Sequence, residues 1–209
     1  MRIAVLGGTG SFGRALAARL AAVGEDDVVI GSRDAERARA TAEELGGGRV
    51  TGATNDDAVR GADLAVLAVK AEGALETARA TGAALGETPL LCVASALSFA
   101  KDGVRPDPEG RSLAERVQDL VAAPVAAGLH SIAASNLGVD APDEDAFVCG
   151  DDARAKELAL ELAAKLVAGR ALDAGPLASA RTLEGMTAVI VNLNRRYRGH
   201  AGIRITGLP

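Results

Sequence analysis

Aromatic side chains are nearly absent from this chain: 2% of 209 residues, with no tryptophan, one tyrosine and three phenylalanines. The core must therefore be built from Ala, Val, Leu and Ile, and there is no surface of interleaved aromatic and basic residues on which bases could stack. Positive charge is also short, with 23 Lys and Arg against 28 Asp and Glu and a net charge of -5. A phosphodiester backbone is held by an excess of cations, so nucleic acid is excluded as a partner. Cysteine and histidine are scarce, two of each. Cys92 and Cys149 stand far apart in apolar runs without the paired spacing of a zinc or redox centre. They read as buried, reduced thiols, and no metal site is expected. No apolar run reaches the roughly 18 residues of a membrane span. The first strand begins at once, leaving no room for a leader peptide. A cytoplasmic protein with no membrane partner is expected.

What is present is a globular composition, 48% hydrophobic and 24% charged, in a length that suits one main domain with a small appendage. Short apolar runs alternate with segments of helical periodicity. Strands are expected at 2–6, 27–31, 50–52, 63–69, 89–95, 124–130, 145–150 and 170–175. Helices are expected at 11–23, 34–45, 55–60, 71–85, 112–121 and 152–166, and in a last segment opened by Pro176. The strands are continuously apolar, as in a parallel sheet covered on both faces. The fold class is therefore α/β: a Rossmann-type, doubly wound, mostly parallel sheet with a small C-terminal α/β extension. Residues 1–130 form the dinucleotide-binding part, and 131–209 a smaller portion completing the second-substrate site. The segment "KDGVRPDPEG" at 101–110, with two prolines and two glycines, reads as a surface loop or lid. The last helix carries Leu183, Met186, Ile190, Leu193 and Tyr197 at spacings of three and four, a stripe that must pack on something.

Chemistry concentrates in "GGTGSFG" at 7–13, between the first strand and the first helix. Gly8, Gly10 and Gly13 fit G-x-G-x-x-G in the strand-turn-helix setting that gives the pattern its meaning. The first glycine allows the tight turn, the second lets a pyrophosphate approach the backbone, and the third lets helix and strand close up. Thr9, Ser11 and Phe12 complete the loop, and the helix N-terminus attracts the anion. An NAD site offers Asp or Glu at the end of the second strand, but here that strand ends in Gly31, Ser32 and Arg33. A carboxylate would repel a 2′-phosphate, whereas Ser32, Arg33 and Arg37 can bind it. NADP(H) is the expected cofactor. The competing account makes Arg33 and Arg37 a solvated helix face paired with Asp34 and Glu36.

His130 closes the strand in "GLHSIAASN", where a general acid or base would suit a carbonyl substrate. Isolated histidines are also common as plain polar contacts. No serine-histidine-aspartate order or tyrosine-lysine pair accompanies it. Hydride transfer between two cofactors needs no such group, only rings held face to face at roughly 3 to 3.5 Å.

With "LGGTG", "VVIGSRDAERA", "GLHSIAA", "CGDD", "LDAGPL" and "GIRITGL" in order, the chain resembles the NADPH-dependent coenzyme F420 reductase family nearly from end to end. The resemblance implies reversible hydride exchange between NADP(H) and the 5-deazaflavin coenzyme F420, a small-molecule co-substrate, in a homodimer. It implies that Thr9 to Phe12, Ser32, Arg33 and Arg37 hold NADP, that Val69 and Ala134 line the nicotinamide, and that His130, Arg181 and Thr187 border the deazaflavin. Lys70, Ala71 and Glu72 depart from the proline and bulky aromatic residue usual in that family. A phosphate and polyglutamate tail on F420 would suit Arg195, Arg196, Arg198 and Arg204, which serve equally as charge at a helix carboxyl end. Two other functions remain open: NADPH-dependent reduction of a flavin, imine or carbonyl compound, and a non-catalytic NADPH-binding module.

Overall fold

The computed structural model describes residues 1–138 and 140–208. In chain order it begins β1 (Arg2–Leu6), α1 (Ser11–Val23), β2 (Asp27–Ser32), α2 (Ala35–Glu44), β3 (Val50–Thr54) and α3 (Asn55–Val59). Next come β4 (Leu64–Leu67), α4 (Ala71–Leu85), β5 (Leu90–Cys92), β6 (Leu97–Ala100), β7 (Gly103–Pro106) and α5 (Leu113–Gln118). The chain ends with β8 (Val125–Gly128), β9 (Ala146–Gly150), α6 (Ala153–Leu166), β10 (Ala171–Asp173), a short 3-10 turn (Leu177–Ser179) and α7 (Ala180–Tyr197).

Eight strands form one sheet in the order β10-β9-β8-β5-β4-β1-β2-β3. Every neighbouring pair is parallel except β8 and β9. The expected doubly wound sheet is thus present, and β9 and β10, from the C-terminal portion, extend its edge. Successive residues of β1 serve opposite layers. Ile3 and Val5 meet Leu16 and Leu20 of α1, while Ala4 and Leu6 belong with Ala58, Ala74 and Ala78 of α3 and α4. A strand clothed on both faces has no polar side, hence the unbroken apolar runs. Small residues let the layers close: a Cβ on Gly52 of β3 would lie 2.3 Å from the main chain at Ala38 in α2.

Three helix starts expected inside the helices are their caps. Asp34 accepts from the N–H groups of Glu36 and Arg37, Asp152 from that of Ala155, and Ser112 forms a capping box with Glu115. The segment 101–110 is not all loop. Its first half belongs to an antiparallel hairpin, β6 with β7, turning at Lys101 and Asp102. Asn192 of α7 fixes that hairpin by accepting from the Val104 N–H and donating to the Val104 carbonyl, each at 2.8 Å. The α7 stripe splits accordingly. Leu183 and Ile190 are buried, whereas Leu193 and Tyr197 are 41% and 73% exposed. At the far edge, buried Asp145 accepts from the N–H groups of Arg170 and Ile205, both at 2.8 Å, and straps down the chain beyond α7.

Candidate dinucleotide and acceptor site

The strand order reverses between β1 and β4, and a parallel sheet opens a crevice there, at the carboxyl ends of the strands. The protein has a cleft of about 990 Å³ at this point. Thr9, Gly10, Ser11, Phe12, Ser32, Arg33, Arg37 and Val69 all line it. Gly8 and Gly13 do not, and their need for glycine lies in backbone packing. A Cβ on Gly8 would meet the Val5 carbonyl oxygen at 2.9 Å, and one on Gly13 the Gly7 carbonyl oxygen at 2.6 Å. The tight turn expected at Gly8 is made one residue earlier: Gly7 has φ +79°. The N–H groups of Gly7 and Gly8 then both reach the Gly31 carbonyl at 3.0 Å, tying the loop to β2.

Helix α1 starts at this loop with Gly10 as its cap, no side-chain cap and no acid in its first turn. Its first N–H groups and the positive end of its dipole are thus left without a side-chain cap or a first-turn acid at the edge of the cleft. At the end of β2 the next carboxylate, Asp34, is spent on capping α2, and the Asp34 N–H donates to Ser32 Oγ at 3.2 Å. Glu36 pairs with Arg39. Among the described residues, neither Arg33 nor Arg37 is in an ion pair, which removes the account of both as members of a self-paired surface. Two guanidinium groups and a hydroxyl, with the intervening Asp34 turned to the α2 N–H groups, suit a dianionic phosphate.

Sequence reasoning missed Asn55, Asp56 and Glu76, which also line the cleft, and Lys70 and Glu72, noted only as departures from the family pattern, line it too. Asn55 begins α3, and its Oδ1 is buried without a partner among the described residues. A Cβ on Gly31 would lie 2.8 Å from that oxygen, so the glycine at the end of β2 makes room for it. The only signal in the sequence was a helix start, which says nothing of where an amide points.

His130, Arg181 and Thr187, expected on the acceptor side, do not line this cleft. His130 and Thr187 are brought together: Thr187 Oγ1 lies 2.7 Å from the His130 carbonyl, and its hydroxyl is 3.0 Å from that of Ser95. Ser95 follows β5 and His130 follows β8, so α7 ties together the ends of two strands. The backbone just before His130 is strained, with Leu129 at φ +63°. The His130 ring is buried, and its Nδ1 has no partner among the described residues. Burial pushes its pKa down to about 4, against a smaller opposing pull from the Ala94 main chain, so the ring is neutral near pH 7. Arg181 stands apart from that pair, its Nη2 donating to the Asp107 carbonyl where the hairpin ends. Ala134 is half-buried in the turns after β8.

Cys92 and Cys149 are free and buried, and burial pushes both thiols up to about 12, so neither is a nucleophile. Among the described residues no cluster of His, Cys, Asp or Glu could hold a metal, and no helix is long and apolar enough to cross a membrane. Of the C-terminal arginines, Arg204 pairs with Asp143 and Arg195 lies 5.5 Å over the Phe99 ring, while Arg195 and Arg196 line a small cavity with Lys101.

A doubly wound sheet with a glycine-rich loop at its switch point defines a dinucleotide-binding protein of the Rossmann class. Residues 2–93 match the family model described as NADP oxidoreductase coenzyme F420-dependent. Over its full length the chain is 38% identical to the F420-dependent NADP reductase of Methanothermobacter marburgensis, covering 100% of both. It is 39% identical to the enzyme of that name from Methanothermobacter thermautotrophicus, covering 100% of this chain and 96% of that one. A crystal structure from Arthrobacter sp. FB24 superposes with a TM-score of 0.85 at 29% identity, over 99% of this chain and 100% of that one. The chain belongs to the F420-dependent NADP reductase family.

Proposed function

We propose that the protein is an oxidoreductase that passes a hydride reversibly between NADP(H) and the deazaflavin coenzyme F420. The observation that carries this is the pairing, in one cleft, of a helix N-terminus without a side-chain cap with a strand end whose Ser32, Arg33 and Arg37 line the cleft while Asp34 caps α2. The family to which the chain belongs supplies the acceptor. NADPH brings the transferable hydride; the chain binds, orients and excludes water.

The loop from Thr9 to Phe12, with the first N–H groups of α1, suits the pyrophosphate. Arg33 and Arg37 suit the 2′-phosphate through charge-assisted hydrogen bonds, and Val69, at the end of β4, closes the nicotinamide end with an apolar wall. Ala134 is assigned to the same end. His130, Arg181 and Thr187 are assigned to the acceptor. A neutral His130 offers a hydrogen bond and no charge. Its part is to shape the acceptor wall, and proton supply at neutral pH falls to solvent or to the acceptor's own groups.

A homodimer is part of this proposal. Val189, Leu193 and Tyr197 recur at every fourth position of α7, all exposed, with Phe99 of the hairpin 65% exposed as well. An apolar helix face left open in this way fits association. Cytoplasmic residence accords with two free cysteines.

Anaerobic mixing with NADPH and oxidised F420, following the deazaflavin absorbance, tests the reading, with NADH and FMN in parallel. Bleaching with NADPH and F420 alone is expected. Intact NADPH binding without bleaching would overturn the acceptor assignment.

A further inference from the structure

Glu184 is a carboxylic side chain sealed completely inside the protein, on the face of α7 that meets α5. Its Oε1 accepts from the Leu113 N–H at 2.6 Å, while its Oε2 is buried with no partner among the described residues. One turn earlier on the same helix, Arg181 mirrors it. Arg181 Nη2 donates to the Asp107 carbonyl, and Nη1 is buried without a partner among the described residues. Residues three apart on a helix are neighbours on one face, yet these two form no ion pair among the described residues. Glu184, fully buried, and Arg181, partly buried, are therefore held side by side, each with one polar atom unpartnered among the described residues, an arrangement that costs stability wherever it occurs.

The surroundings place this pair against the acceptor wall. Asp107 is held through its N–H by the Ala96 carbonyl at 2.9 Å, and Ala96 follows Ser95, the partner of Thr187. Arg181 thus grips one end of the hairpin root, and Thr187 sits beside the other. The groups facing Glu184 are Arg181 on its own helix, Glu115 on α5, Cys92 on β5, and the main-chain N–H groups of Leu113 and Ala96.

We propose that Glu184 is a positioning residue for the acceptor: its charge, acting on Arg181, sets how far that guanidinium is available to the acceptor and how the hairpin root is held. The proposal rests on the reading of Arg181 and Thr187 as acceptor-side residues. As a carboxylate, Glu184 draws Nη1 of Arg181 toward itself and repels any oxygen-rich acceptor. As a neutral acid it releases Nη1 to the acceptor. Burial pushes the carboxyl up to about 7; the Leu113 N–H, Arg181 and the Ala96 N–H oppose this, and Glu115 adds to it. Both forms are therefore populated near neutrality.

The sign follows from linkage. A ligand that binds better when Glu184 is protonated takes up a proton, so its KM rises as pH rises through the carboxyl's titration. Wild type should show a KM for F420 that rises about threefold from pH 6 to pH 8, the equivalent of half a pKa unit of coupling. E184Q keeps the Leu113 contact without the charge. Its KM for F420 should stay near the wild-type value at pH 6 and lose the rise, with KM for NADPH unmoved. The same rise in E184Q as in wild type would overturn the proposal.

A second readout needs neither turnover nor that variant to fold. The Glu184 carboxyl is titrated by carbon-13 NMR in wild type and in R181Q, where the neighbouring positive charge is gone. The midpoint should rise by about half a unit. An unchanged midpoint would overturn the proposal alone. Failure of wild type to reduce F420 would overturn the functional reading and the acceptor part of this one together.

Discussion

The Thr187 hydroxyl donates to the main-chain carbonyl of His130 at 2.7 Å, joining the last helix to the strained backbone that ends β8. The same oxygen lies 3.0 Å from Ser95 Oγ, so one side chain organises the ends of β5 and β8. Thr187→Val keeps the shape and removes the hydroxyl. The buried carbonyl then loses its donor, at a cost of about 1–3 kcal/mol. Urea unfolding should show that loss, and the KM for F420 should rise while the dissociation constant of NADPH stays put. A rise confined to NADPH would place Thr187 on the other half of the site.

Arg33 and Arg37 line the cleft, and among the described residues neither has a carboxylate partner, so neither is needed to hold α2 in place. Arg33→Ala should leave the thermal midpoint nearly unchanged and weaken NADPH. A charge-assisted hydrogen bond contributes about 1.5–3 kcal/mol, or roughly 10- to 150-fold in affinity. NADH, which lacks the 2′-phosphate, should bind the variant as it binds wild type. Fluorescence titration of both nucleotides decides it, and equal losses would refute the NADP assignment.

Gly13 faces backbone, not a yielding side chain: a Cβ there would stand 2.6 Å from the Gly7 carbonyl oxygen and 2.8 Å from the Gly8 Cα. Gly13→Ala must therefore push α1 away from the loop. The strain is about 1–3 kcal/mol. For a domain of this size that lowers the thermal midpoint by roughly 2–10 °C, and NADPH affinity should fall with it, because the first N–H groups of α1 move. A variant as stable as wild type would mean that the helix start is looser than its packing implies.

The glycine loop is legible in the sequence because close backbone approach demands glycine, and the demand is written in residue type. The same holds for the second strand's end, where an absent carboxylate carries the information. The hairpin of β6 and β7 is hidden by Gly103, Pro106 and the charges around them, which read as loop, and its turn at Lys101 and Asp102 carries no glycine of its own. Gly7 is hidden by its neighbour, since two adjacent glycines do not reveal which one takes the positive φ. Glu184 cannot be seen at all. Helical periodicity assigns glutamate to the solvent face, and only tertiary packing against α5 reverses that. Asn55 escapes for a related reason: its role depends on which strands are neighbours.

His130 and Glu184 bias stability in opposite directions over one pH window. The His130 pKa is pushed down to about 4 from an unfolded value of about 6.5. Between those values the unfolded chain binds the extra proton, so this contribution is complete above pH 6.5 and is lost as pH falls toward 4. The Glu184 carboxyl is pushed up to about 7, well above an unfolded value of about 4.3. There the folded chain binds the extra proton, so its contribution is complete below pH 4.3 and is lost as pH rises toward 7. Glu144, raised by its burial, acts in the same sense as Glu184. Each full proton of difference is a slope of about 1.4 kcal/mol per pH unit, and opposite signs cancel. Urea unfolding of wild type from pH 5 to 6.5 should therefore be shallow. His130→Asn should turn it into a stability that falls with rising pH, and E184Q into one that rises. If both variants keep the wild-type slope, neither side chain titrates as its burial requires.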